Sequence, residues 1–214
     1  MYPKKIYFIR HGETEYNRLN IVQGRGVDSD LNALGRWQAA AFHHIYRDIP
    51  FEAVFTSTLQ RTHQTVAGFI GLAGLPFITL PDLDEMHWGW FEGRPASPEL
   101  REMFQKVTME WSAGNYDYAF ADGENATQLA ERISRALAYL GSRPEKTLLV
   151  CSHGRALRCL LCLAKGLPLS EMAVINPKNT GLFLANFDGS TFTFELENDT
   201  QHLSRYPHPS PESQ

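Results

Sequence analysis

Two arginines, two histidines and a glutamate stand in this 214-residue sequence where an apolar, strand-like run gives way to a turn or a helix. Ile6-Tyr7-Phe8-Ile9 is β-branched and aromatic without strict alternation, the pattern of a strand buried on both faces, and it ends in Arg10-His11-Gly12. Gly12 permits a sharp turn towards the helix-compatible stretch Glu13 to Leu19. Arg61 falls in the first turn of the helix after "AVFTS" (53–57), Glu85 follows "FITL" (77–80), and His153 follows "TLLVCS" (147–152). Chain order alone therefore sends all five side chains to one edge of a sheet, whereas unrelated polar residues would scatter over both edges.

The set has a chemistry in common. Each arginine offers a planar fork of N–H donors suited to phosphate oxygens, and helices starting near Arg61 and Gly154 should add free backbone N–H groups and positive dipole ends. Imidazoles beside such cations are disfavoured in their protonated form, so one neutral histidine could attack phosphorus. The other, with Arg10 and Arg61, would stabilise charge on the equatorial oxygens without a metal or cofactor. Glu85 is then the natural proton donor to the leaving oxygen and acceptor from the attacking water.

The elements that must position these groups alternate along the chain. Residues 33–46 form a helix with Asn32 as N-cap, and Thr58 is expected to cap a helix over 59–72 that Gly74 and Pro76 close off. Residues 82–96 read as loop. Helices follow at 97–112 and 126–140, separated by the irregular "AGNYDYAFADGEN", a candidate cover. A helix at 154–165 follows the fourth strand, and residues 181–197 read as an antiparallel hairpin turning at Asp188-Gly189. This order predicts an α/β fold: a mostly parallel sheet covered on both faces, with ligands bound beyond the carboxyl ends of its strands. One domain over 1–203, with a helical insert over about 97–141, is expected to precede a disordered tail, 204–214.

Charge and composition exclude other classes. A formal net charge of −4 gives no reason to expect nucleic acid or an anionic membrane as partner, so any anion must be caught locally. No apolar run approaches the roughly 20 residues of a spanning helix, and no leader is evident, so a cytoplasmic location is the default. Three cysteines are an odd count for a disulfide framework. Cys159 and Cys162, in "ALRCLLCLAKG", have the period of a buried helix and read as core thiols. His43, His44 and His63 read as packing or outer-face residues, and His87, two places beyond Glu85, as a packed or solvated loop residue rather than a second proton donor. Trp88, Trp90 and Phe91 read as core or as an apolar wall for substrate. Arg94 and Arg155 are surplus cations, either for a second anionic group or merely solvated.

Arg10-His11-Gly12-Glu13-Thr14, "TSTLQRTHQT" around Arg61, "LDEMHWGWFEG" around Glu85 and "CSHGRAL" around His153 together resemble the histidine phosphatase superfamily, in its phosphoglycerate-mutase-like branch. The resemblance runs from about residue 5 to residue 197. It implies a three-layer α/β/α sandwich, a covalent phosphohistidine on His11, Arg10, Arg61 and His153 around the phosphoryl group, and Glu85 as acid/base. Asn17 and the pair Gln23-Gly24 match positions that contact phosphate, with Gly154 beside His153. "DGENATQLAERI" resembles the family's Gly-Glu-Ser stretch with Asn125 in place of the serine. Glu85 runs into "MHWGWFEGRPASPEL" without the paired arginines that grip a carboxylate in the related mutases. The implied activity is therefore hydrolysis of a small phosphate ester, with mutase activity as the alternative and homodimerisation left open. A non-catalytic phosphate-binding module would be favoured if His11, Arg61, Glu85 or His153 were replaced, and none is.

Overall fold

Six strands form one sheet in the order β3-β2-β4-β1-β5-β6. They are β1 (Lys4–Arg10), β2 (Ala53–Thr56), β3 (Phe77–Thr79), β4 (Thr147–Ser152), β5 (Leu182–Phe187) and β6 (Phe192–Asp199). The first four run parallel, and the β5–β6 hairpin joins the free side of β1 antiparallel. The structure, a computed structural model, describes residues 3–71, 74–120 and 122–207.

Strict alternation is missing from the four inner strands because both faces of the sheet are covered there, whereas the edge strand β6 alternates half-buried and exposed residues. Ile6, Phe8, Phe55, Leu148 and Val150 point into one core, and Tyr7, Ile9, Val54, Leu149 and Cys151 into another. The first core is closed by α4 (Pro98–Ser112), α5 (Ala126–Ser142) and α6 (Gly154–Lys165). On the second face Phe42 of α2 (Ala33–Tyr46) packs with Val66 and Phe69, which follow α3 (Gln60–Thr65). The short α1 (Glu15–Arg18) and α7 (Gln201–Ser204) complete the expected three-layer α/β/α arrangement. No helix among the described residues is long and apolar enough to cross a membrane.

Local signals set most helix ends. Asn32 accepts from the N–H of Gly35 at the start of α2, and Asn125 forms a reciprocal capping box with Gln128 at the start of α5. Gly166, at φ 65°, closes α6 in the left-handed conformation. The three cysteines are free and buried.

Two expected spans are corrected. The helix read over 59–72 stops at Thr65, and Thr58 does not cap it: its hydroxyl and N–H donate to Asp84 instead. Tight backbone turns follow, with Phe69 N–H on Val66 O, and Gly68 lets the chain press against the His43 ring, from which a Cβ would stand only 2.5 Å. Residues 72 and 73 lie outside the described residues. The tail expected to be disordered from 204 packs as far as Pro207: the Tyr206 ring lies 5.2 Å from that of His44, and Trp37 Nε1 donates to Pro207 O. Residues 208–214 lie outside the described residues. α5 packs along α6 in the layer next to the sheet, and Phe104 of α4 reaches the site.

Candidate active site

Strand register brings the polar positions together. β4 lies between β1 and β2, pairing Arg10 with Ser152 and Thr56 with Cys151, so the residues that follow these strands leave the sheet side by side. The His11 N–H donates to Ser152 O at 3.0 Å, and Ser152 Oγ donates to Leu83 O at 2.8 Å, which draws in the loop carrying Glu85. The His11 and His153 ring centroids stand 5.2 Å apart.

A cleft of about 180 Å³ opens at this edge. Of the residues anticipated from sequence, Arg10, His11, Asn17, Gln23, Arg61, Glu85 and Gly154 line it. A Cβ on Gly154 would lie 3.5 Å from Arg10 Nε and 3.6 Å from Glu85 Oε2, so the bare backbone there forms the floor between cation and carboxylate. Gly24 and His153 are not in the lining. The Gly24 carbonyl accepts from Arg61 Nη2 at 3.4 Å, and a Cβ at Gly24 would collide with the Glu92 carboxylate and Met86 O.

The hydrogen bonds assign the tautomers. A carbonyl can only accept, so His11 Nδ1, 2.6 Å from Gly12 O, carries the proton and Nε2 keeps its lone pair. Arg61 Nε can only donate, so His153 Nδ1 accepts from it at 3.2 Å, and His153 Nε2 donates to Ser57 Oγ at 2.7 Å. Both imidazoles are held well below the usual histidine pKa, first by burial and next by the Arg61 guanidinium; Arg10 adds to this at His11. His153 thus sits behind Arg61 with both ring nitrogens engaged.

Arg61 also donates from Nη1 to Val27 O at 2.6 Å, and its remaining N–H groups are directed by this fixed frame. Arg10 donates from Nη1 to Pro177 O at 3.0 Å, while its Nε is buried with no hydrogen-bond partner among the described residues. Burial without an ion pair brings Arg10 down to about 10, with Glu85 opposing the shift. Asn17 Oδ1 is taken by the Thr14 N–H and hydroxyl and by Asn179 Nδ2, leaving its own amide donors for the cleft.

The expectation of free helix N–H groups holds only in part: among the described residues the Gly154 and Arg61 N–H groups keep no hydrogen-bond partner, while those beside them are taken by carboxylates. Glu85 occupies the start of α6: Oε1 accepts from Met86 N and Ala156 N, and Oε2 from Arg155 N at 3.1 Å. Asp28 takes the Gln60 N–H at the start of α3. Each anion is a side chain already in the fold, because a carboxylate at a helix start satisfies the same orphan donors that a phosphate would. Gly12 likewise has no positive φ. It serves close approach, since a Cβ there would stand 2.6 Å from Gly35 O.

The surplus residues are also sorted. His87 Nδ1 bonds Glu92 Oε1 at 2.9 Å, outside the cleft. His63 Nε2 donates to Ser57 O, away from the site as its place on the helix implied. Trp88 and Phe91 are buried, and Trp90 is exposed beneath the Arg94 guanidinium. Arg155 is buried and lines the cleft, together with Arg158, which sequence reading missed. Arg158 sits four residues after Gly154, on the same helix face, so the 3.6 period was the available signal. Asn179, whose Nδ2 donates to His11 O at 2.9 Å, had no local signal, since the contact spans 168 positions.

Buried guanidinium donors, a neutral imidazole with one bare nitrogen and a carboxylate across a glycine floor can together bind a phosphoryl group, attack it and move a proton. Comparisons with known proteins point the same way. Residues 6–200 match the histidine phosphatase superfamily (branch 1). A Yersinia pestis protein named "Probable phosphoglycerate mutase GpmB" is 32% identical over 209 residues, covering 93% of this chain and 94% of that one. The structure of Bacillus stearothermophilus YhfR is 27% identical, with a TM-score of 0.82, covering 94% of this chain and 99% of that one. The alpha-ribazole phosphatase of Shigella flexneri is 25% identical, with a TM-score of 0.79 over 92% of this chain and 96% of its own.

Proposed function

Because the chain belongs to the histidine phosphatase superfamily, we propose that it is a phosphomonoesterase that hydrolyses a small phosphorylated metabolite through a phosphohistidine on His11. The observation that carries this reading is the state of His11: neutral, with Nδ1 tied to Gly12 O and Nε2 unprotonated on the wall of a cleft that also holds Arg10 and Arg61. The Nε2 lone pair attacks phosphorus while the ester P–O bond breaks, and the leaving oxygen takes a proton from Glu85. Water then gives a proton to Glu85 and attacks phosphorus, and the N–P electrons return to His11. A carboxyl oxygen has two lone pairs, so Glu85 can carry a proton towards the cleft while still accepting a backbone N–H. The Arg10 and Arg61 guanidinium groups, both on the cleft wall, hold the equatorial oxygens; His153 acts by holding Arg61.

The GpmB relative, by its name, favours a second reading, phosphoglycerate mutase. The absence of an Arg-Arg pair after Glu85 weighs towards hydrolysis. Incubation with glycerate 3-phosphate separates the two: phosphate release should outpace formation of the 2-isomer. Alkaline quenching of turnover on a labelled ester, which preserves a phosphoramidate, should place the label on His11. Label on His153, or turnover surviving in His11→Ala, would overturn the assignment.

A further inference from the structure

Arg155 is a largely buried cation that faces aromatic rings and the cleft rather than an acceptor. It is 8% exposed, and its guanidinium stands 5.5 Å from the Trp88 ring, 5.9 Å from Phe104 and 5.5 Å from Trp111. Among the described residues its side chain has no hydrogen bond and no ion pair. The carboxylate whose charge bears on it, Glu85, already accepts three backbone N–H groups, one of them that of Arg155 itself. Burying a guanidinium this way is unfavourable unless an anion compensates it, and burial brings it down to about 10. Three aromatic rings supply an attractive face for the cation but no acceptor in the plane of its N–H fork.

The location narrows what that anion is. Arg155 lines the cleft that holds His11, and three residues further along α6 Arg158 lines both this cleft and an adjoining cavity of about 520 Å³. Arg158 donates to Met172 O and Asn176 Oδ1, which fixes its guanidinium in place and leaves further N–H groups free. The two spaces also share Arg10, Asn17, Val22 and Phe104, so a group leaving the phosphorus has continuous room past Arg158. On the phosphatase reading Arg10 and Arg61 hold the transferred phosphoryl group, and Arg155 and Arg158 are additional to it.

We propose that Arg155 and Arg158 form a subsite for a second anion, so that the substrate is a phosphomonoester whose leaving portion carries a carboxylate or a second phosphate. The proposal rests on the phosphatase reading for its reaction, but its binding component can be tested apart from it.

A three-carbon series serves as probe: glycerol 1-phosphate, glycerate 3-phosphate and glycerol 1,3-bisphosphate, with kcat/KM from phosphate release. The unaltered protein should prefer at least one bis-anionic ester over glycerol 1-phosphate by roughly 10–100-fold, the scale of a charge-assisted pair. Preference for glycerate 3-phosphate alone identifies a carboxylate, and preference for the bisphosphate alone identifies phosphate. Arg155→Met, which keeps the packing on the rings, and Arg158→Gln, on a half-buried side chain, should each reduce that preference ratio at least tenfold. Equal turnover of all three esters by the unaltered protein, or equal proportional losses in both variants, overturns the subsite. Calorimetric binding of the same esters separates the two readings. Tighter binding of a bis-anion that is lost in the variants, without any phosphate release, upholds the subsite and overturns the phosphatase. Phosphate release without such a binding difference does the reverse.

Discussion

The proposed nucleophile and proton donor can each be tested at a single atom. Burial and Arg61 disfavour the charged forms of His11 and His153, so neither ring should protonate near the usual histidine pKa in an NMR titration. A step near pH 6.5 in either would contradict the buried, cation-flanked geometry. The sign carries over to stability. The unfolded chain binds protons on these histidines near pH 6.5 and the folded one does not, so stability falls as pH drops below that value. Glu85 is tested by the leaving group. Glu85→Gln keeps the shape but removes the proton, so single-turnover transfer should slow by about 10²–10⁴-fold for an alkyl phosphate and far less for a nitrophenyl ester, whose oxyanion leaves almost unaided. Equal slowing for both would leave Glu85 only the role of holding the start of α6.

At the scale of elements, the site depends on how closely α2 approaches the turn after β1. A Cβ at Gly35 would stand 2.0 Å from Glu13 O, and one at Gly12 would stand 2.6 Å from Gly35 O, both backbone atoms that no rotamer change can move aside. Gly35→Ala must therefore push α2 away from the loop that carries His11. The expected result is a lower melting temperature together with a loss in kcat/KM of tenfold or more, because small misplacements of reacting groups are costly. Unchanged kinetics in a folded Gly35→Ala protein would show that the loop tolerates the displacement.

For the molecule as a whole, a buried ion pair joins the α4–α5 side to the edge that carries the cleft. Glu124 and Arg132 make two side-chain hydrogen bonds at 2.7 and 2.9 Å, and Arg132 Nη1 also donates to Asp82 O and Asp84 O, immediately before Glu85. Removing one partner leaves the other charged and unpaired inside the fold, which costs about 3–5 kcal/mol. Arg132→Met should therefore unfold at markedly lower denaturant and slow turnover as the Glu85 loop loosens. The double variant with Glu124→Leu should recover part of the stability but not the loop's hydrogen bonds. If the single variant matched the parent in both measurements, the pair would have no structural weight.

Much of this protein follows from its sequence because the causes are local. The apolar runs at Ile6–Ile9 and 148–151 need cover on both sides, which demands helices on both faces. Asn32, Asn125 and Gly166 set helix ends through neighbours a few residues away. The four polar blocks at strand ends identified the cleft because a parallel sheet sends all its carboxyl ends to one edge. Tertiary structure decided what depends on distant partners. The insertion of β4 between β1 and β2 placed His153 behind Arg61, and the approach of Glu85 to α6 filled N–H groups that sequence left open. The same packing enclosed Arg155 among three aromatic rings and brought Asn179 onto His11. A side chain's type and helical phase are properties of its own segment. Whether its charge is solvated, paired or buried alone depends on which segments close over it.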